Sequence, residues 1–324
     1  MRDLRALPKA HLHIHLEATM RPATVAEFSG EPARTSFEYS GFTEFVTAYY
    51  GLTTVIDSPA RLARVIDEAV EDAAADGVVA IELATTPTWY TPVFGSLDEA
   101  IEALCGFAAD AAAKHGVWTG IVVAIDRTAG PDAALELASA AARFAGRGVI
   151  GLGLHAEERG FPARDFQKAF ATARDAGLLA VPHAGELVGP ESVREAVTLL
   201  GADRVQHGVR SVEDPALVAE LAAAGTVLDV CPTSNLLLGV VPSLAAHPLP
   251  ALLAAGVRCS INADDPTLFG VGVLHEYEVA RHDLGLHDVA LADCARTSVA
   301  ASAAPAAVKE TAQAAIDGWL QEAG

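Results

Sequence analysis

The sequence predicts an α/β fold in one domain spanning 1–324, a (β/α)8 TIM barrel, and three observations predict it. Eight short β-branched runs alternate with longer alanine- and charge-rich segments. Several runs follow a glycine that stops a helix: Gly77, Gly148, Gly177, Gly225 and Gly256. The fingerprint G-x-G-x-x-G after a first strand, which marks the rival open doubly wound sheet, is missing. Gly151-Leu152-Gly153 is only part of it and lies inside a run. No Walker A lysine motif and no Pro/Ser linker occurs, so 324 residues suit one barrel.

The elements follow in order. Residues 11–16 (HLHIHL) alternate, so His11, His13 and His15 share one face and Leu12, Ile14 and Leu16 the other. Residues 21–51 are the one long excursion after a strand, rich in aromatics: Phe28, Phe37, Tyr39, Phe42, Phe45, Tyr49 and Tyr50. In a barrel this helical insertion covers the C-terminal mouth, as an apolar lid, as a stabilising cap, or as both. Residues 59–75 have helical periodicity and lead into the strand 78–85. The alanine-rich stretches 71–75 and 108–113 are helix faces, because alanine is the best helix former. Strands at 118–126 and 149–155, a helix over 162–175, and strands at 179–184, 204–209, 226–231 and 257–263 complete the repeat. Residues 291–324 read as C-terminal helices without chemistry.

Charge and cysteine usage narrow the function. Lys+Arg 22 against Asp+Glu 42 gives a net charge of −20, which opposes phosphate backbones and anionic lipid. No nucleic-acid or membrane partner is expected, and an acidic surface suits a monomer or a homo-oligomer. Cys105, Cys231, Cys259 and Cys294 form no C-x-x-C, so neither a disulfide framework nor a cysteine zinc site is expected. The opening MRDLRALPKA lacks the apolar core of a secretory signal, and no run approaches about 18 apolar residues. A cytoplasmic location follows as the expectation.

The polar strand ends carry the chemistry. Three imidazoles on one face of a buried strand are costly unless something binds them. Later strands end in Val181-Pro182-His183-Ala184-Gly185-Glu186, Gln206-His207-Gly208, Cys231-Pro232-Thr233-Ser234-Asn235 and Asn262-Ala263-Asp264-Asp265. In a barrel these ends converge on one mouth. His13, His15, His183 and Asp264 then offer three imidazoles and a carboxylate to one zinc ion with an open position. Glu186 and His207 are left over as acid–base groups. Lys9, Lys114, Lys168 and Lys309 all lie away from the C-terminal strand ends, so no lysine bridges a second ion and one metal per chain is expected. Glu157 or Glu158, past the fourth strand, is the remaining candidate bridge. His155-Ala156-Glu157 matches half of the small zinc-deaminase motif, but no P-C-x-x-C follows, and no H-E-x-x-H occurs.

LPKAHLHIHLEATMRP, HAGE, RVQHG, VCPTSN and INADDPTLFG, in order over about residues 7–277, resemble the adenosine deaminase family. The resemblance implies a (β/α)8 barrel that hydrolyses the 6-amino group of a purine and releases ammonia. It implies zinc ligation by His13, His15, His183 and Asp264. It implies that Glu186 donates a proton to ring N1, that His207 orients and deprotonates the attacking water, and that Asp264 sits at the reacting centre. Asp265 would bond N7.

Departures from the family pattern cluster on the sugar side. Glu17-Ala18 stands where the family usually reads Asp-Gly, and adenine deaminases in the family carry the longer acid. Glu82-Leu83-Ala84 lacks the usual arginine. Ala156 replaces a glycine whose N–H meets purine N3, and that donor survives if φ is negative. Candidate substrate contacts are therefore Asp265, Glu17 and Ala156, with Phe45 and Tyr49 of the insertion. Adenosine, a 5′-modified adenosine such as aminodeoxyfutalosine, and free adenine are the substrates in view. Arg127 either meets a carboxylate on a 5′-extended substrate or forms a surface salt bridge. A cyclic-amide hydrolase on the same barrel would explain H-x-H and Asp264, but it does not need Glu186, His207 and Asp265 together.

Overall fold

Eight parallel strands pair in chain order around a nearly closed barrel in the computed structural model, which describes residues 1–32 and 34–321. They are β1 (Lys9–His15), β2 (Val78–Thr85), β3 (Trp118–Asp126), β4 (Val149–His155), β5 (Leu179–Ala184), β6 (Arg204–His207), β7 (Val227–Val230) and β8 (Arg258–Ile261). The predicted boundaries of β2 to β5 coincide with these. The predicted β6, β7 and β8 are longer than the observed strands. β6 stops because Gly208, at φ 68°, turns the chain into a 3-10 helix.

The seam between β8 and β1 is closed by backbone and side chain together. His15 N–H donates to the Asp264 carbonyl at 3.0 Å, and Asp264 N–H to the His13 carbonyl at 3.1 Å. Below them, Asn262 Oδ1 accepts from Leu12 N–H at 2.8 Å and His13 N–H at 3.2 Å. The side chain thus continues the ladder where β8 has ended.

Between strands the chain forms helices with one apolar face. In Pro59–Ala75, Ser58 caps the N-terminus by accepting from Arg61 N–H, and Leu62, Val65, Ile66, Ala69 and Val70 are buried. The helix read over 162–175 is instead a 3-10 turn, Ala163–Phe166, followed by an α-helix, Gln167–Asp175, because the turn buries Ala163 and Phe166. The return into β4 uses Gly148 at φ 115°, where a Cβ would stand 2.7 Å from Cys105 Cβ.

The insertion after β1 forms two helices, α1 (Pro22–Ser29) and α2 (Phe42–Thr54), and α2 buries Phe45, Tyr49 and Leu52 over the mouth. Phe45 stacks on Phe269 at 5.4 Å, and Tyr39 OH donates to the Leu268 carbonyl at 2.7 Å. Ala33, within this predicted excursion, lies outside the described residues, as do the last three of the predicted terminal helices. Helices Asp288–Ala301 and Ala306–Gln321 support the other end, where Ser298 Oγ accepts from Ala10 N–H at 2.9 Å. Among the described residues, no helix is long and apolar enough to cross a membrane.

The barrel interior below the mouth is ionic. Arg204 donates to Glu82 and, at 3.0 Å, to Asp229 Oδ2, and its third nitrogen reaches the Ala301 carbonyl at 2.7 Å. Glu82 and Asp229 are also held by Ala303 N–H and Ser260 Oγ, both at 2.6 Å. Glu82 therefore finds its arginine on β6 rather than beside it on β2. Arg204→Leu leaves two buried carboxylates without a counter-charge. It is expected to cost about 3–5 kcal/mol in urea-induced unfolding.

Candidate active site

The ends of β1, β5 and β8 bring four ligand atoms to one point. His13 Nε2 lies 3.1 Å from His183 Nε2 and 3.1 Å from Asp264 Oδ1. His15 Nε2 lies 3.2 Å from His183 Nε2 and 3.3 Å from Asp264 Oδ1. Bonds of 2.0–2.1 Å to one zinc place neighbouring ligand atoms about 3 Å apart, so these four spacings allow a shared ion. His13 Nδ1 is 3.1 Å from the Asp229 carbonyl, which fixes its proton there and leaves the Nε2 lone pair free to bind. Burial, then the neighbouring His13 and His15, push His183 well below the usual histidine range, so it is neutral and ready to ligate. His207 also offers a ligand atom within 4.8 Å of His13, His183 and Asp264. It stands farther off than His15, with Nε2 3.7 Å from Asp264 Oδ2, so His15 completes the set better.

Three non-glycine residues have positive φ among the described residues, and all are at this mouth: Ala156 at 70°, His207 at 62° and Asp264 at 62°. Left-handed backbone costs an L-residue roughly 1–2 kcal/mol and collects at functional sites. At Asp264 it coincides with the seam to β1, and Ser234 Oγ holds the carboxylate from the far side at 2.7 Å.

Two further carboxyls are pushed toward the protonated form. Burial raises Glu186 well above the usual range, and the charges of Asp264 and Glu158 add to it. Burial and then Asp264 do the same to Asp265, whose Oδ1 has no hydrogen-bond partner. Asp264 shows the opposite balance. Burial acts to raise it, but His13 and His15 hold it well below the usual range. Adjacent acids are thus pushed in opposite directions: Asp264 toward the ionised form, Asp265 and Glu186 toward the neutral one. Glu186 Oε2 lies 3.6 Å from His207 Nε2.

A cavity of about 50 Å³ lies between the ligands and α2. Of the predicted substrate contacts, Asp265, Ala156, Phe45 and Tyr49 line it. Glu17 does not. It sits behind the wall, buried, accepting from Tyr49 OH at 2.6 Å and from the hydroxyls of Thr85 and Tyr90. Its reach toward substrate is through Tyr49. His155 lines the cavity, stacked between His15 at 5.5 Å and Trp89 at 5.8 Å, and burial pushes it down to about 3, so it is uncharged.

Three readings are corrected by position. The condition of a negative φ at Ala156 is not met, so alanine occupies glycine's conformation under strain. Arg127 is neither exposed nor salt-bridged. It is fully buried and donates to the carbonyls of His155 (3.2 Å), Phe161 (3.1 Å) and His183 (2.6 Å), tying β3 to the ends of β4 and β5. Glu158 is committed elsewhere than to a bridge. It accepts from the backbone N–H of Gly185, Glu186, Leu187 and Val188 and from Ser192 Oγ, so it holds the loop that carries Glu186. Glu157 turns outward to Arg159 at 3.7 Å. Sequence reasoning assigned no separate role to Ser234 or Asn235. Their signal was the motif VCPTSN at the end of β7.

The model for the family described as adenosine deaminase matches residues 8–319. A Streptomyces coelicolor protein named "Putative adenosine/adenine deaminase" is 40% identical, over 99% of this chain and 98% of its own length. The aminodeoxyfutalosine deaminase of Acidothermus cellulolyticus is 36% identical, over 86% of this chain and 83% of its own. Among solved structures, the adenine deaminase of Arthrobacter aurescens superposes with a TM-score of 0.89 at 30% identity, covering 97% of this chain and 99% of that one. A Burkholderia ambifaria amidohydrolase with bound Zn gives 0.87 at 30% identity, covering 97% and 91%.

Relief of the strain at Ala156 is measurable. Ala156→Gly is expected to raise stability by about 1 kcal/mol, read as a higher urea midpoint with an unchanged m-value.

Proposed function

We propose the details of the reaction from one premise: the chain belongs to the adenosine deaminase family. It is a hydrolytic aminohydrolase acting on a 6-aminopurine compound, and the family is metal-dependent. The reading offered here assigns one zinc ion per chain to His13, His15, His183 and Asp264. The spacing of their ligand atoms supports that ion. A zinc ion there supplies a nucleophile near neutral pH by lowering the pKa of water from 15.7 to about 7.

The chain's own residues do the rest. Carbon 6 of an aminopurine resists attack until electron density can move to N1. Glu186, uncharged because it is buried beside Asp264, gives its proton to N1 as oxygen adds to C6. Asp265, also uncharged, donates to N7 and holds the ring. His207 presents Nε2 to the same space. Ammonia leaves once the exocyclic nitrogen gains the proton that the added hydroxyl gives up as C6 becomes a carbonyl, and Glu186, emptied by the first transfer, is placed to carry it from oxygen to nitrogen. The observation that carries this reading is the placement of two buried carboxyls, Glu186 and Asp265, beside the ligand set on the cavity wall. Opening a cyclic amide has no use for both.

Among 6-aminopurines the walls favour free adenine as a second reading. The cavity is bounded by Phe42, Phe45, Tyr50 and Trp89, and no Lys or Arg is among its lining residues. A carboxylate on a 5′ substituent finds no cation there, because Arg127 is committed to three carbonyls. All four cysteines are free thiols, which suits a reducing cytoplasm.

Zinc-loaded protein is expected to release ammonia from adenine, adenosine or a 5′-extended adenosine when the three are assayed side by side. Glu186→Gln should lower that turnover by about 10²- to 10⁴-fold. Wild-type turnover in this variant, or no ammonia from any of the three, would overturn the reading. Dialysis against a chelator should abolish activity and lower the thermal midpoint. Zinc should restore both, with metal analysis reading one ion per chain.

A further inference from the structure

Behind His207 runs a chain of hydrogen bonds that ends on a backbone amide. Leu249 N–H donates to His247 Nδ1 at 3.1 Å. A backbone amide can only donate, so His247 Nδ1 accepts and the ring carries its proton on Nε2. Burial supports a neutral ring, pushing His247 down to about 4. Nε2–H then donates to Asn235 Oδ1 at 3.1 Å. With its oxygen turned to His247, Asn235 presents its NH2 group to His207 Nδ1 at 3.2 Å. An amide NH2 also only donates, so His207 Nδ1 must accept.

The consequence falls on the other nitrogen. A neutral imidazole has one proton and one lone pair in the ring plane. The lone pair of His207 is taken by Asn235, so the proton is on Nε2, the atom that faces Glu186 and Asp264. Reversing any one member sets two donors against each other. His207, Asn235, His247 and Leu249 are all buried, so solvent offers no relief.

We propose that Asn235 and His247 are positioning residues that fix His207 in its Nε2–H tautomer. Neutral His207 therefore acts at the reacting centre as a hydrogen-bond donor. It neither ligates the metal nor takes the proton of the attacking water. The catalytic consequence rests on the aminohydrolase reading; the tautomer does not. A donor at Nε2 stabilises negative charge on an oxygen adding to carbon, whereas a lone pair there would repel it. This departs from the role that the family resemblance implies for His207. It also separates His207 from His15 as a ligand on chemical as well as metric grounds.

The test is the nitrogen-15 spectrum of histidine-labelled, zinc-loaded protein, which distinguishes a protonated, a bare and a metal-bound ring nitrogen. Both His207 and His247 are expected to carry their protons on Nε2. Asn235→Asp replaces the NH2 donor with an acceptor. It should move the His207 proton to Nδ1 and lower kcat by about 10- to 100-fold with little change in KM. His247→Gln keeps a donor to Asn235 and should retain the Nε2–H signal and most of the activity. His247→Leu should lose both. A wild-type His207 protonated on Nδ1 or bound to metal overturns the proposal, even if the variants fail to fold. So does an Asn235→Asp protein that keeps the proton on Nε2. A protein that releases no ammonia but shows the expected tautomers overturns the aminohydrolase reading and leaves the relay standing.

Discussion

Four candidate ligand atoms from the ends of three strands meet inside the barrel, each within 3.3 Å of two others, and that convergence constrains the rest of the molecule. Three buried imidazoles and one carboxylate with four spacings of 3.1–3.3 Å are a poor arrangement for a chain by itself. It is tolerable around a cation. Holding it requires the β8–β1 seam, because Asp264 reaches the histidines only where the barrel closes. The seam in turn places Asp264 in left-handed backbone, so local strain is accepted to bring the carboxylate into position.

The same enclosure sets the acid–base chemistry. Burial acts to protonate Asp264, Asp265 and Glu186 alike. Asp264 escapes because imidazoles face it, and its retained charge then helps keep Asp265 and Glu186 protonated. One carboxylate facing imidazoles thus pushes its two neighbours toward the neutral form, the division that the proposed ligand and donor roles require. Support comes from groups that touch no reacting atom. Glu158 gathers four backbone N–H groups beneath Glu186, and Arg127 gathers three carbonyls beneath His155 and His183. Both are charged residues buried for placement.

Much of this was legible in the chain. Period-two alternation in HLHIHL put His13 and His15 on one face, and polar residues at run ends identified the mouth, because parallel strands in a barrel all finish at the same end. The aromatics of the insertion were read as a cover, and α2 buries Phe45 and Tyr49 there. Charged residues in turns were read less well. Arg127 looked like a surface or substrate-facing cation, Glu158 like a bridging ligand, and Glu17 like a direct contact. Each is instead saturated by partners from 27 to 73 positions away in the chain, which no local pattern encodes.

By itself, then, the sequence determined the eightfold alternation, the polar residues at the strand ends, and the face each strand presents, because these follow from periodicities of two and 3.6 residues. Only the tertiary structure decided which carboxyls are pushed toward the charged form, that Glu17 sits behind Tyr49, and which nitrogen of His207 bears a proton. Those depend on burial and on the direction of hydrogen bonds between residues brought together by closure of the barrel. Direction passes along such a chain from a group that has no choice, here the Leu249 amide, to one that does.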